Sequence, residues 1–394
     1  MISFTEAQQL ITALSGSFGL EEIALADADG RVLAEDIYAD RDYPPFNRAA
    51  MDGYAINTAD WETGIREFRV QQVIYAGEAA NDDLKPGTCY KIMTGAPVPL
   101  SANVVIKRED AEQGGEIVRF KVDHVNKYQS ISRQGEDMGQ GDLTLPQGTL
   151  CSFAAISILA SLGKSKVQVQ SLPKVALFTT GNELVELGMP VSATQIRNSN
   201  QYLLKSLLKK WLIRPTICEH VIDDKAKLKT ALTQALSCDI IITCGGVSAG
   251  DADYLPEVLA GLGVKKLFHK VAIKPGKPIW CGQMANGGMV FALPGNPVSC
   301  LVTFKLFIEV YLTACLGAGT SKILTLPFKG KRSHTASLDE FFPVTISGEP
   351  ATAHALRINS SGDIRLGLHA DALAHHPVDV AELNNQSIVT CYLL

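Results

Sequence analysis

Lys174–Thr179 reads KVALFT and runs into Thr180-Gly181-Asn182-Glu183, and Asp239–Cys244 reads DIIITC and runs into Gly245-Gly246. Each is a short, β-rich apolar run stopped by glycine, the pattern of a strand entering a turn. Between them lie a helical pattern near Gln201–Trp211, a strand around Thr216–Val221 and a second helical pattern over about Ala226–Leu236. Beyond them, Leu255–Leu262 reads as helix and Met289–Leu293 as strand. A last helix opens in Pro294-Gly295-Asn296-Pro297, with Asn296 placed to cap and Pro297 at a first-turn position that needs no N–H. Its apolar periodicity runs to Leu316, and Gly317 ends it. Strands alternating with helices predict a doubly wound, mostly parallel sheet with helices on both faces, over residues 173–320.

Working outward, Ser3-Phe4-Thr5-Glu6 reads as a capping box ahead of the apolar positions Ala7, Leu10, Ile11 and Leu14, with Gly16 and Gly19 ending the helix. From Ile23 to about Leu150 the text is strand-like and broken by Gly and Pro, as at Phe68–Ile74, Val104–Arg108 and Ile117–Val122. A further apolar helix is expected at Cys151–Leu162, stopped by Gly163. The two helices are expected to share one layer, in a discontinuous domain of residues 1–50 plus 140–172, with a β-rich domain, 51–139, inserted between them. After Leu326-Pro327 the chain reads as short strands and turns, so residues 321–394 are expected to form a small all-β domain.

Composition sets the outer bounds. The 394 residues carry 46% hydrophobic and 20% charged side chains, a globular composition that predicts two to four domains. The net charge of -5 argues against a nucleic-acid partner. Apolar runs fall short of the ~18–20 residues of a membrane span, and the N-terminus MISFTEAQQL lacks the basic and apolar regions of a signal peptide. The nine cysteines are scattered with no C-x-x-C pair, which suits small apolar residues in a reducing cytoplasm.

In a doubly wound sheet, ligands bind beyond the carboxyl ends of the strands. Three glycine-containing loops fall there: Thr180–Glu183, Gly245–Asp253 and Pro294–Ser299. The second sets Ser248, Asp251 and Asp253 beside Gly245, Gly246 and Gly250. Glycines let backbone approach a phosphate, small hydroxyls donate to it, and acids hold Mg²⁺ or a ribose hydroxyl. One such loop is as often a plain turn, but three in one domain favour an anionic, nucleotide-like ligand. Lys270-Val-Ala-Ile-Lys274-Pro-Gly-Lys277-Pro278 adds a cationic cluster framed by proline and glycine, a local anion site in an acidic chain.

Other runs are bland alone. Asp52-Gly53 reads as an Asx-turn, Thr94–Pro97 and Gly135–Asp137 as turns, and Asp223-Asp224 as a helix cap. His375-His376 reads as solvated, and neither an H-E-x-x-H nor a Walker A motif is present.

The strings PPFNRAAMDGYA (Pro44–Ala55), KIMTGAPVP (Lys91–Pro99), GED (Gly135–Asp137), TTGNEL (Thr179–Leu184), CGGVSAGDADY (Cys244–Tyr254), KVAIKPGKP (Lys270–Pro278) and PGNPVS (Pro294–Ser299) resemble, in order, those of the molybdopterin molybdenumtransferases, the MoeA and gephyrin E-domain family. The resemblance covers residues 1 to about 320. It implies four domains per protomer, the third a molybdopterin-binding α/β domain and the fourth a small β-barrel. It also implies a homodimer whose active site joins the α/β domain of one protomer to the MDGYA-bearing domain of the other. The implied reaction hydrolyses adenylylated molybdopterin and places molybdenum from molybdate on the dithiolene, with Mg²⁺ assisting. Molybdopterin adenylyltransferase and molybdoenzyme maturation proteins are the implied partners.

By position, the resemblance assigns catalysis to Asp52, Thr94, Asp137, Glu183, Asp223 and Asp253. It assigns substrate binding to Lys270 and Lys274, with Lys277 and Ser299 at positions associated with the oxyanion; the loop reading adds Gly245, Gly246, Ser248, Asp251, Pro294 and Asn296 as substrate-binding residues, and Asp52, Glu183 and Asp251 as residues able to hold Mg²⁺. Two departures stand out. Asn182 replaces the usual acid of Gly-Asp-Glu-Leu, and the C-terminal region has Leu338-Asp339-Glu340-Phe341-Phe342-Pro343 where an Arg-x-Glu-Phe-x-Arg-like strand is usual. A serine usual in a later Gly-Ser-rich segment is also missing, at Leu366–Asp371. Arg357, Arg365 and His369 are the candidate substitutes. A non-inserting paralogue that carries a pterin nucleotide, and a pyrophosphatase on the same α/β domain, are the alternative readings.

Overall fold

A computed structural model describes residues 1–247, 254–318, 323–333, 337–365 and 368–394. The chain forms two compact units, one of Asp36–Gln147 with Ile158–Lys164, the other of Met1–Glu35, Gly148–Ser157 and Ser165–Leu394.

The smaller unit is built on a six-stranded sheet in the order Val104–Lys107, Gly53–Ile56, Thr88–Ile92, Glu67–Ile74, Ile117–Phe120, Ala111–Gly114. Gly53–Ile56 is buried along its whole length, so its alternate side chains feed two cores. Ala55 joins Ile74, Tyr90, Ile92 and Val105 on one face, and Tyr54 and Ile56 join Phe68, Val104, Ile106 and Phe120 on the other. Glycine is required at position 53, because a Cβ there would lie 2.1 Å from the Ile106 carbonyl oxygen.

The larger unit contains the doubly wound sheet, in the order Ile217–Val221, Val175–Thr180, Ile240–Cys244, Met289–Leu293, Trp280–Gln283, Lys265–His269. The first four strands are parallel, and the last two add an antiparallel edge. Val175, Leu177, Ile240 and Ile242 face the helices Ser199–Lys209 and Pro297–Leu316, while Ala176, Phe178 and Ile241 face Lys225–Ala235 and Leu255–Gly261. Two of the caps read in the sequence form: Asp224 accepts from the Lys227 amide at 2.8 Å, and Gly317 closes the last helix in the left-handed region at φ 63°, whereas Asn296 holds the N-cap position of that helix without a side-chain cap bond. That last helix, twenty residues long and apolar enough to cross a membrane, is 78% buried as the core helix of this sheet.

The first helix, Phe4–Ala13, begins as expected, with Ser3 Oγ accepting from the Glu6 amide at 3.1 Å. Its packing differs from expectation. Instead of sharing a layer with the 151–162 segment, it lies on the core helix, where Phe4 meets Phe307 and the Gln8 side chain donates to the Leu306 carbonyl at 3.0 Å. The physical reason lies in the core helix itself, whose Phe304–Ile308 segment winds as a π-turn. Such a turn displaces carbonyls from the regular ladder, and Gln8 takes one of them.

The C-terminal region is a closed five-stranded barrel. Ile323–Lys329, Thr352–Ala355, Asp339–Ser347, Ala372–His376 and Ile388–Leu393 each pair with the next, and the last returns to the first. Phe328, Phe342, Val344 and Cys391 fill it. His375 and His376, expected to be solvated, are instead half-buried and buried respectively. His375 bonds Asp339 at 2.8 Å and stacks on Phe341, and His376 bonds the Val380 carbonyl at 2.7 Å. The strand alternation that seats adjacent side chains on opposite faces gives each a separate partner.

Candidate active site

The order of the parallel strands defines where a ligand can sit. From Val175–Thr180 the chain crosses to Ile217–Val221 on one side and returns to Ile240–Cys244 on the other, so the strand order reverses between the first and third of these. A crevice opens at such a reversal, beyond the carboxyl ends of the strands. Gly181–Glu183 and Gly245-Gly246 emerge there. A Cβ at Gly245 would lie 2.5 Å from the Thr180 carbonyl oxygen, and Gly245 and Gly246 have φ of 103° and 68°. The two loops therefore meet backbone to backbone, as only glycine permits. Pro294-Gly295, after the fourth parallel strand, joins them: the Asn200 amide donates to the Gly295 carbonyl at 2.6 Å, and the Gly245 amide donates to Leu293 at 3.0 Å.

Glu183 is exposed in the first loop, its carboxylate folded over Gly181, where a Cβ would lie 2.6 Å from it. Asn182 Oδ1 accepts from the Asp223 amide at 3.1 Å, tying the TTGNEL loop to the residue that precedes the cap Asp224. An asparagine oxygen serves that bond as a carboxylate oxygen would, so this departure keeps the loop geometry. Ser248, Asp251 and Asp253 lie outside the described residues.

The lysine run forms a tight loop. The Lys270 amide donates to Ile279, Val271 to Lys277 and Ile279 to Gly276. Lys270 takes φ 70°, a left-handed conformation that costs a non-glycine residue roughly 1–2 kcal/mol. Its carbonyl receives the Ile2 amide at 3.2 Å. Lys274 and Lys277 are exposed. Ile273-Lys274 runs parallel to Asp339-Glu340 of the barrel, and Lys274 Nζ lies 3.5 Å from the Glu340 carboxylate.

The helix start at Pro297–Ser299, expected to be open to an anion, is partly taken. The Val298 amide donates to the Ser361 carbonyl at 3.0 Å, and the Asn296 side chain donates to Ser361 Oγ at 2.8 Å. Ser299 is buried in the first turn.

In the smaller unit the N-terminal motifs converge. Arg48-Ala49 pairs with Ile131-Ser132; the Gly95 amide donates to Ala49, and the Gly135 amide to Pro44. Asp52 Oδ1 accepts both the amide (2.7 Å) and the hydroxyl (2.6 Å) of Thr94. Those two bonds, the hydroxyl's foremost, with the Arg108 charge behind them, hold the Asp52 carboxyl below its ordinary range. Asp137 is exposed on the turn whose amides reach the Tyr43 and Pro44 carbonyls. The candidate catalytic residues thus fall into two groups: Asp52, Thr94 and Asp137 in one unit, Glu183 and Asp223 in the other.

Arg332 is the residue that sequence reading missed. Its guanidinium grips Glu340 through Nε (3.2 Å) and Nη2 (3.0 Å) and lies 4.1 Å from the Phe342 ring centroid. Arg365, one of the proposed substitutes, is instead forked onto Asp363 on an exposed turn. Arg357 and His369 are exposed. No local motif marks Arg332; eight residues separate it from Glu340.

An acid-bearing crevice at a strand-order reversal, flanked by a rigid cationic loop, defines a doubly wound α/β protein equipped for an anionic ligand. Residues 2–163 match the MoeA N-terminal region (domain I and II), and residues 176–314 a probable molybdopterin binding domain. The chain is 33% identical to the molybdopterin molybdenumtransferase of Synechocystis over 92% of each chain. It is 36% identical to that of Haemophilus influenzae over 75% of this chain and 73% of the other. A crystal structure of the molybdopterin biosynthesis moeA protein from Pyrococcus horikoshii OT3 superposes with a TM-score of 0.86 at 29% identity, covering both chains fully. The chain belongs to the molybdopterin molybdenumtransferase family, and it is a transferase of molybdenum cofactor biosynthesis.

Proposed function

We propose that the chain inserts molybdenum from molybdate into adenylylated molybdopterin and hydrolyses the adenylate as it does so. The observation that carries this reading is the meeting of the Gly181–Glu183, Gly245-Gly246 and Pro294-Gly295 loops at one strand-order reversal. Every partner in the reaction is an anion. Lys270, Lys274 and Lys277 neutralise the phosphoanhydride and the oxyanion, and Glu183 and Asp223 orient the attacking water. Asp52, hydrogen-bonded by Thr94, and Asp137 complete the set from the smaller unit. In this reading the enzyme is a homodimer, with Asp52, Thr94 and Asp137 of one protomer serving the crevice of the other. It receives its substrate from a molybdopterin adenylyltransferase and passes its product to molybdoenzyme maturation proteins.

Mg²⁺ fits the donor set. It keeps several waters and takes one or two carboxylates plus substrate phosphate oxygens rather than a full protein cage. Accordingly, no group of three metal-ligating side chains occurs among the described residues, while Glu183 and Asp52 offer exposed hard oxygens. Glu183 and Asp52 would hold the ion, which would supply charge neutralisation at the phosphoanhydride.

The test is release of AMP from adenylylated molybdopterin by the purified chain, followed by chromatography. Release that needs both molybdate and Mg²⁺, and stops with EDTA, is the expected result. Tight retention of the nucleotide with no AMP release under any of these conditions overturns it and leaves a carrier.

A further inference from the structure

Glu340 is 7% exposed, yet it faces two cations. Its Oε1 is shared between Arg332 Nη2 at 3.0 Å and Lys274 Nζ at 3.5 Å, and its Oε2 is taken by Arg332 Nε at 3.2 Å. The two hold it unequally. Arg332 makes a two-pronged contact, its side chain is 27% exposed, and its plane rests on Phe342. A planar fork on a carboxylate, backed by an aromatic face, is a pre-organised arrangement. Lys274 makes one long contact from a side chain that is 60% exposed.

One carboxylate therefore serves two cations, and Arg332 occupies it first. We propose that Arg332 is a positioning residue for the oxyanion substrate. By occupying Glu340, it leaves the Lys274 ammonium aimed but only loosely held, so that Lys274 can turn to an incoming molybdate. Glu340 sets the direction of Lys274, the parallel pairing of Ile273-Lys274 with Asp339-Glu340 fixes its backbone, and Arg332 keeps the carboxylate from capturing it. Without Arg332, the buried carboxylate has Lys274 as its remaining ion-pair partner among the described residues, and the two close on each other. The charge that should meet the oxyanion is then spent inside the protein.

The proposal rests on the reading of Lys274 as an anion-binding residue, and the experiment separates the two. AMP release is measured against molybdate concentration at saturating adenylylated molybdopterin, with thermal unfolding recorded for each variant. Arg332→Gln is expected to raise the molybdate KM about tenfold with little change in kcat, the size of one lost charge-assisted contact. The double variant Arg332→Gln, Glu340→Gln removes the competing carboxylate and is expected to recover most of that loss, which a purely structural role for Arg332 does not predict. Arg332→Lys, which keeps the charge, is expected to lie between and serves if the glutamine variant fails to fold. An unchanged KM in Arg332→Gln, or a double variant no better than the single, overturns the role of Arg332. An unchanged KM in Lys274→Ala overturns the reading of Lys274 itself.

Discussion

Asp52 and Thr94 are 42 residues apart and meet at one carboxylate oxygen. The bond ties the MDGYA and TGAP strings together in the fold and holds the Asp52 carboxyl below its ordinary range. Its folded-state pKa is depressed, so the contribution of the ionised form is present above the unfolded value and is lost as pH falls through the folded one. Thr94→Val removes the largest cause and keeps the amide bond. The Asp52 carboxyl is then expected to titrate higher, toward its ordinary 3.8, so that the contribution of its ionised form shrinks and its loss on acidification is complete at a higher pH. A carbon-detected NMR titration of the labelled carboxyl reads this directly; an unmoved midpoint would show that the amide alone sets it. Burial acts in the opposite direction on the cysteines, eight of the nine of which are buried, with desolvation pushing the Cys89 thiol up to about 12.

At the scale of elements, glycine positions separate the required from the incidental. Gly53 lies against a neighbouring strand's carbonyl, whereas a Cβ at Gly114 meets nothing within 4 Å. Gly53→Ala is expected to cost about 3 kcal/mol or more, because the obstacle is backbone and cannot step aside. Gly114→Ala, at an open site, is expected to fall within about 0.5 kcal/mol of the parent in the same urea titration. Equal midpoints for the two variants would show that the sheet yields at position 53. The parallel strands were legible because KVALFT and DIIITC are unbroken apolar runs ending in glycine. Lys265–His269 (KKLFH) and Trp280–Gln283 (WCGQ) were not, since each is short and mixed, and their pairing with each other, and of the second with Met289–Leu293, as an antiparallel edge is a tertiary fact. The seat of the first helix was equally hidden, because it depends on a π-turn some 300 residues away. The His375-His376 pair misled because adjacency says nothing about which side of a barrel wall each residue takes. Arg332 escaped notice because its partners, Glu340 and Phe342, are matched to it by folding and by no spacing rule.

For the whole molecule, the two groups of site residues in separate units make the homodimer testable by mixing. Asp52→Ala and Glu183→Ala are each expected to be inactive alone. If each site takes Asp52 from one protomer and Glu183 from the other, random re-pairing of the two variants restores one intact site per mixed dimer, about a quarter of wild-type activity. No recovery, with mixed dimers demonstrated by mass, would place both residues of a site in one chain. One further consequence lies in the short ladder of Ile273-Lys274 against Asp339-Glu340. In mechanical terms, that ladder is a weld between the cationic loop and the barrel wall. A tilt of the barrel therefore carries the lysine backbone with it. Any gripping of cargo at this edge falls to the free ends of long side chains, which swing while the frame beneath them stays rigid.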